Sequence, residues 1–201
     1  VAIDELVIAQ ENETPSLTLA QHNASAGIFM NYLTYNGLFR MDFENLTPVP
    51  DLAESYETIS DTEWVFKLKK GVKFHNGDEM TAEDVKASIE YSKQFPDCAQ
   101  YQKSIDKIEI VDDYTVKITT PGPSAILLTD LTHHGNWIMP KSLIESGNDF
   151  NENPIGSGPY IFKEWVLGDN LTFEAFTEYF DDERAAKISN EKCRIIPGGS
   201  S

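Results

Sequence analysis

Apolar and polar residues alternate over 64–70, with Trp64, Phe66 and Leu68 on one side and Val65, Lys67 and Lys69 on the other. A period of two marks a half-buried strand. Gly71 interrupts it, Val72 and Phe74 resume it for one step, and Asn76-Gly77 offers the positive-φ pair that a tight reversal tolerates best. The spacing then turns helical, because Ala82, Val85 and Ile89 share a face. Thr81 stands as N-cap and Asp84, three residues on, completes a capping box with its carboxylate at the positive helix end. Phe95-Pro96-Asp97 ends this helix.

The same reading extends along the chain. It predicts a strand over 5–10, stopped by the polar run to Pro15. A helix follows over 24–36, with Ile28, Phe29, Tyr32, Leu33 and Tyr35 at helical spacing, Asn23 or Ser25 as N-cap and Gly37 as its left-handed C-terminal residue. Residues 38–41 read as a short strand. A hairpin over 107–111 and 114–119 sets Ile108 and Ile110 opposite Val116 and Ile118. Gly122-Pro123 is expected to open a helix that buries Ile126, Leu127, Leu128 and Leu131. A short strand over 137–139, a short helix over 140–145 stopped by Gly147, and strands over 160–165, 171–176 and 193–196 complete the pattern.

Composition narrows the class. The 201 residues suit one large domain or two small ones, with about 70% of the unfolded surface available for burial. The 40% hydrophobic and 11% aromatic content is that of an ordinary globular protein, and no apolar run approaches the roughly 18 residues of a membrane span. A formal charge of -17, from 33 acids against 16 bases, repels phosphate backbones and excludes nucleic acid as a partner class. Cys98 and Cys193 allow either one disulfide or two free buried thiols, and no C-x-x-C is present.

The order LAESYE (52–57), WVFKLKKGVKFHNG (64–77) and TAEDVKASIE (81–90) closely resembles the signature region of extracytoplasmic solute-binding proteins of the peptide, dipeptide and nickel class. NYLTYNGLFRMD (31–42), NPIGSGPY (153–160) and RIIP (194–197) are similar to further family segments. The resemblance implies an α/β, periplasmic-binding-protein-like (type II) lobe with a mixed β-sheet and a small α/β subdomain, truncated relative to the family. Its expected division is 1–44 and 155–197 as main lobe, 45–154 as small subdomain, and 198–201, Gly-Gly-Ser-Ser, as a linker. It further implies an extracytoplasmic setting, in the periplasm or lipid-anchored at the cell surface, a monomer, a small-molecule or peptide ligand, and an ABC permease as partner. Two lobes would close on the ligand by a hinge, without covalent chemistry or cofactor. Nickel chelates and oligosaccharides are alternative ligands, and a stand-alone adhesion module is the alternative role.

The residues themselves offer little catalytic chemistry. Gly156-Ser157-Gly158 lacks the spacing of a nucleophile elbow or a phosphate loop and reads as a structural turn. Glu83-Asp84 and Asp181-Asp182-Glu183 have no companion base. Asn12, Asn23, Asn45 and Asn170 begin glycosylation sequons that a bacterial family would not use. His133-His134 would point to opposite faces of an extended segment, so no protein-held metal is expected. The resemblance places 12–14 and 132–137 along the ligand cleft. Asn12, Glu13, Thr14, Asn23, His133, His134 and Asn136 are therefore the candidate ligand contacts, the two histidines alternatively serving only to cap a loop. A chain holding half the contacts of a micromolar binder would bind at roughly millimolar strength.

Overall fold

The computed structural model describes residues 4–19 and 24–196. Asn23 and the 198–201 linker expectation lie outside the described residues. The remaining sequence forms two four-stranded sheets joined by a short β-ribbon, a mixed α/β architecture.

The first sheet has the order β1-β10-β9-β8. Strand β1 (Glu5–Gln10) runs parallel to β10 (Asn190–Ile195), so the start of the described chain pairs with its end. Strands β8 (Tyr160–Val166) and β9 (Asn170–Ala175) complete it antiparallel, and Gly168, at φ +74°, makes the turn between them. Helix α1 (Ser25–Thr34) lays Met30 and Leu33 against Tyr160, Leu171, Phe173 and Cys193 to close one core. The helix stops earlier than expected, with Tyr35 extended, and Gly37 is not its left-handed cap. Gly37 is a glycine because of Trp137: a Cβ there would lie 2.4 Å from the indole Cδ1.

Strands β4 (Ala53–Ser60), β5 (Glu63–Leu68), β6 (Lys107–Asp112) and β7 (Thr115–Thr119) build the second sheet in the order β4-β5-β7-β6, all antiparallel. Ile108 faces Ile118 and Ile110 faces Val116, as the alternation predicts. Helix α2 (Ala82–Ser92) covers this sheet, and Val85 and Ile89 share a core with Phe66, Leu68, Val116 and Ile118. Its capping box is present: Thr81 N–H donates to Asp84 Oδ2 over 2.8 Å.

Several elements differ from the pattern reading. Strand β4 escapes it because AESYETIS is an edge strand exposed from Glu54 onward, so no apolar alternation betrays it. Strand β3 (Thr47–Pro50) pairs with β2 (Phe39–Asp42) despite carrying Pro48 and Pro50, which a two-stranded ribbon tolerates. Helix α3 is only Leu127–Asp130; Pro123 lies outside it and Ile126 is exposed. Residues 137–139 are extended but unpaired as a strand, held by Ile138 N–H donating to Asn36 O. Helix α4 (Lys141–Ser146) ends on Gly147 at φ +75° as expected. Cys98 and Cys193 are both buried and not bridged to each other, so the disulfide alternative falls.

Candidate functional site

The end of α1 is where the two sheets meet, and a buried polar network fastens them there. Asn36 donates from Nδ2 to Asp51 Oδ2 at 2.9 Å and to the Tyr179 hydroxyl at 3.2 Å, and its Oδ1 accepts from Ser157 Oγ at 3.4 Å. Asp51, 2% exposed, also takes a hydrogen-bonded ion pair from Arg184, whose Nε reaches Asp181 at 2.7 Å. Burial alone would lower the Arg184 guanidinium, but Asp51, Tyr179 and Asp181 more than reverse it and hold it above its ordinary value. Burial pushes the Tyr179 phenol up to about 12, so it stays protonated and can act as a hydrogen-bond donor.

Above this network lies a hollow of about 250 Å³ lined by Tyr32, Tyr35, Asn36, Arg40, Met41, Phe43, Asp51, Trp137, Pro159, Tyr179 and Arg184. Its wall is aromatic. Tyr32 meets Trp137 edge to face at 4.7 Å, and the indole is fixed by donating to Thr132 O at 3.0 Å. Phe43, 69% exposed, and Tyr32, 40% exposed, leave the rim open to solvent. Arg40 also lines the hollow, and no ion pair claims it among the described residues. Tyr35 is 1% exposed and its hydroxyl has no hydrogen-bond partner within the described protein. Such a wall packs an apolar or planar group, while the unpaired guanidinium suits a carboxylate.

The turn 156–158 supports this arrangement from below. A Cβ on Gly156 would lie 2.2 Å from Thr34 O, and one on Gly158 2.4 Å from Leu33 O, so both glycines are required by close approach to α1 rather than by φ. Gly158 N–H donates to Thr34 O at 2.8 Å, capping one of the helix's last carbonyls. His75 clamps the turn, with Nε2 2.9 Å from Gly158 O and Nδ1 accepting from Gly156 N–H at 3.4 Å.

The structure divides the candidate contacts among three places. Asn12 is exposed and lines a second hollow with Ile8, Gln10 and Phe29 beside the edge of β1. Glu13 accepts from Trp165 Nε1 and from Gly168 N–H, each at 2.9 Å, and Thr14 is buried with its hydroxyl on Ser16 O. His133, His134 and Asn136 sit together in a 3₁₀ turn, His134–Asn136, capped by His133. Asn136 is fully buried and donates to Tyr101 O and Asp130 O. Leu19 packs in one cluster with Tyr35 and Trp137, which brings the segment after Thr14 close to the turn containing Asn136. None of the predicted contacts among the described residues lines the main hollow, although Trp137, the residue after Asn136, does. Tyr32, Asn36, Arg40, Asp51, Tyr179 and Arg184 were not singled out by pattern; the one available signal was an aromatic excess on α1.

Comparison with known proteins places these features in a context. The family described as bacterial extracellular solute-binding proteins, family 5 Middle, matches residues 47–201. A glutathione-binding protein, GsiB, of Pectobacterium atrosepticum is 35% identical over 185 residues, covering 89% of this chain and 36% of that protein. Among solved structures, AgaA of A. tumefaciens R10 in complex with agropinic acid aligns with a TM-score of 0.87 and 28% identity, over 96% of this chain and 40% of that one. The oligopeptide-binding protein AppA of Bacillus subtilis, in complex with a nonapeptide, aligns with a TM-score of 0.82 and 28% identity over the same shares. The chain thus spans 36–40% of the length of these relatives.

Proposed function

The chain belongs to family 5 of the bacterial extracellular solute-binding proteins, and from that footing we propose that it supplies one wall of a solute cleft serving an ABC importer. Members of this family are extracytoplasmic binding proteins rather than enzymes. The observation that carries the reading is the open hollow at the junction of the two sheets, with an aromatic wall and an unpaired Arg40. A short peptide or a comparable carboxylate-bearing solute matches it: the carboxylate meets Arg40, and an apolar side chain packs on Tyr32 and Trp137. The peptide and the acid named for two relatives share that group. The buried Asn36–Asp51–Arg184 network is the floor that holds the wall still. Of the residues proposed from sequence, Asn12, Glu13 and His133 keep accessible surface and remain proposed contacts.

The test is nitrogen-15 NMR on the 201-residue chain. Glutathione or a tripeptide, raised to millimolar concentration, is expected to shift the Trp137 indole resonance saturably and to leave those of Trp64 and Trp165 in place. Amidating the peptide carboxyl, or replacing Arg40→Ala, should weaken the response about tenfold, the worth of roughly 1.4 kcal/mol for a solvated charge-assisted bond. A Trp137 resonance that stays unmoved at these concentrations contradicts the reading.

A further inference from the structure

Two short turns that are distant in sequence pack directly on each other beside Trp137. One is the 3₁₀ turn Ala99–Gln102, entered through Cys98; the other is His134–Asn136, entered through His133. Gln102 Nε2 donates to Gly135 O and Asn136 Nδ2 donates to Tyr101 O, each at 3.0 Å. Gly135 admits no side chain, because a Cβ there would lie 2.7 Å from Cys98 Cβ. The sulfur is therefore pressed onto the histidine turn. Within that turn the two imidazoles do not splay as they would on a strand; their centroids are 4.1 Å apart, on one side. Cys98 Sγ lies 3.5 Å from His134 Nε2, and one ligand atom from each of Cys98, His133 and His134 lies within 4.8 Å of the other two.

Tetrahedral zinc binds thiolate at about 2.3 Å and imidazole at about 2.0–2.1 Å, which puts neighbouring ligand atoms roughly 3.3–3.6 Å apart. The Cys98–His134 pair already stands at that spacing, and a ligand atom of His133 lies within 4.8 Å of both. We propose that Cys98, His133 and His134 form a binding site for a divalent cation that favours thiolate and imidazole, zinc above all. The expectation of no protein-held metal rested on extended backbone, and the 3₁₀ turn removes that premise.

The chemistry of the donors agrees. Cysteine ligates as the thiolate, so binding must displace the Cys98 proton: the S–H bond breaks, an S–Zn bond forms, and one proton leaves to solvent. Ligation by His133 at either nitrogen gives up its 3.2 Å contact with the Gly135 amide, a modest loss. Among the described residues, Asn136 Oδ1 and Gln102 Oε1, on the same two turns, are buried without hydrogen-bond partners. His133 is the least buried of the three and gives the ion its way in.

Cobalt(II) and zinc(II) titrations of the protein test this. One equivalent of cobalt is expected to produce a near-ultraviolet thiolate-to-cobalt charge-transfer band with the strong visible bands of tetrahedral coordination, and zinc should bleach both. Calorimetry in two buffers should show one proton released per zinc at neutral pH. Cys98→Ser should abolish the charge-transfer band. His134→Gln should weaken binding by more than the roughly 10–100-fold that loss of a mere supporting partner costs. Cys193→Ser, in the other core, should change neither. Circular dichroism and metal-free melting show whether each variant is folded, and the wild-type titration stands without them. A wild-type protein that gives no charge-transfer band overturns the proposal, as does a band that survives in folded Cys98→Ser. The proposal shares only His133 with the solute reading; none of its three ligands lines the hollow of Arg40 and Trp137, so its failure would leave that reading intact.

Discussion

His75 shows how a residue's chemistry is set by partners that lie far from it in the chain. Its ring spans Gly158 O and Gly156 N–H, more than 80 positions away, and Phe176 meets it edge to face at 5.0 Å. Burial lowers its pKa to about 4, only partly offset by the bond to Gly158 O. The folded state therefore favours the neutral ring. With the unfolded value near 6.5, its contribution is complete above that pH and is lost as pH falls toward 4, to a limit of roughly 3 kcal/mol. Urea midpoints taken from pH 7.5 down to 4 should fall more steeply for the wild type than for His75→Gln; parallel profiles would remove His75 as the cause. In the sequence, His75 was one letter of a family segment. Gly156 and Gly158 were legible as a turn, but the carbonyls of α1 that exclude their side chains were not.

At the scale of elements, the start of α2 was readable, whereas α1 begins after Ala24 rather than after a side-chain cap and α3 begins at Leu127 rather than at Pro123; polar strands were not readable. The Thr81–Asp84 box is local, four residues that carry their own signal, and it formed as read. What it does beyond α2 is a tertiary matter. Asp84 uses Oδ2 for the Thr81 amide and Oδ1 for the Lys141 amide, both at 2.8 Å, so one carboxylate caps α2 and docks the start of α4. Thr81→Ala is expected to cost about 1 kcal/mol, and Asp84→Ala about 2–3 kcal/mol because it leaves two amides without their charged acceptor. Denaturant unfolding of both variants checks the order, and equal losses would mean that the Lys141 bond contributes nothing. Strand β4 lacked such a local signal. Its partner β5, and β7 beyond it, carry the apolar face, while β4 lies at the edge and needs only backbone pairing.

Over the whole molecule, the Asn36–Asp51–Arg184–Tyr179 network is what fastens one sheet to the other at the hollow. Asp51→Asn should cost about 2 kcal/mol, less than a fully buried pair loses, because Asp181 still neutralises Arg184. It should also broaden the Trp137 indole resonance as the floor loosens; an unchanged melting temperature and spectrum would show that the sheets are held by apolar packing alone. The sequence by itself determined the alternating strands of both sheets, the capped helix α2, the acidic surface and the family, since each is written in short-range periodicity or in fixed runs of residues. Only the tertiary structure decided which side chains face the hollow, that the two cysteines are not bridged, and that Cys98 meets the two histidines. These depend on contacts between segments tens of residues apart, whose approach is set by the packing of whole sheets and leaves no period along the chain.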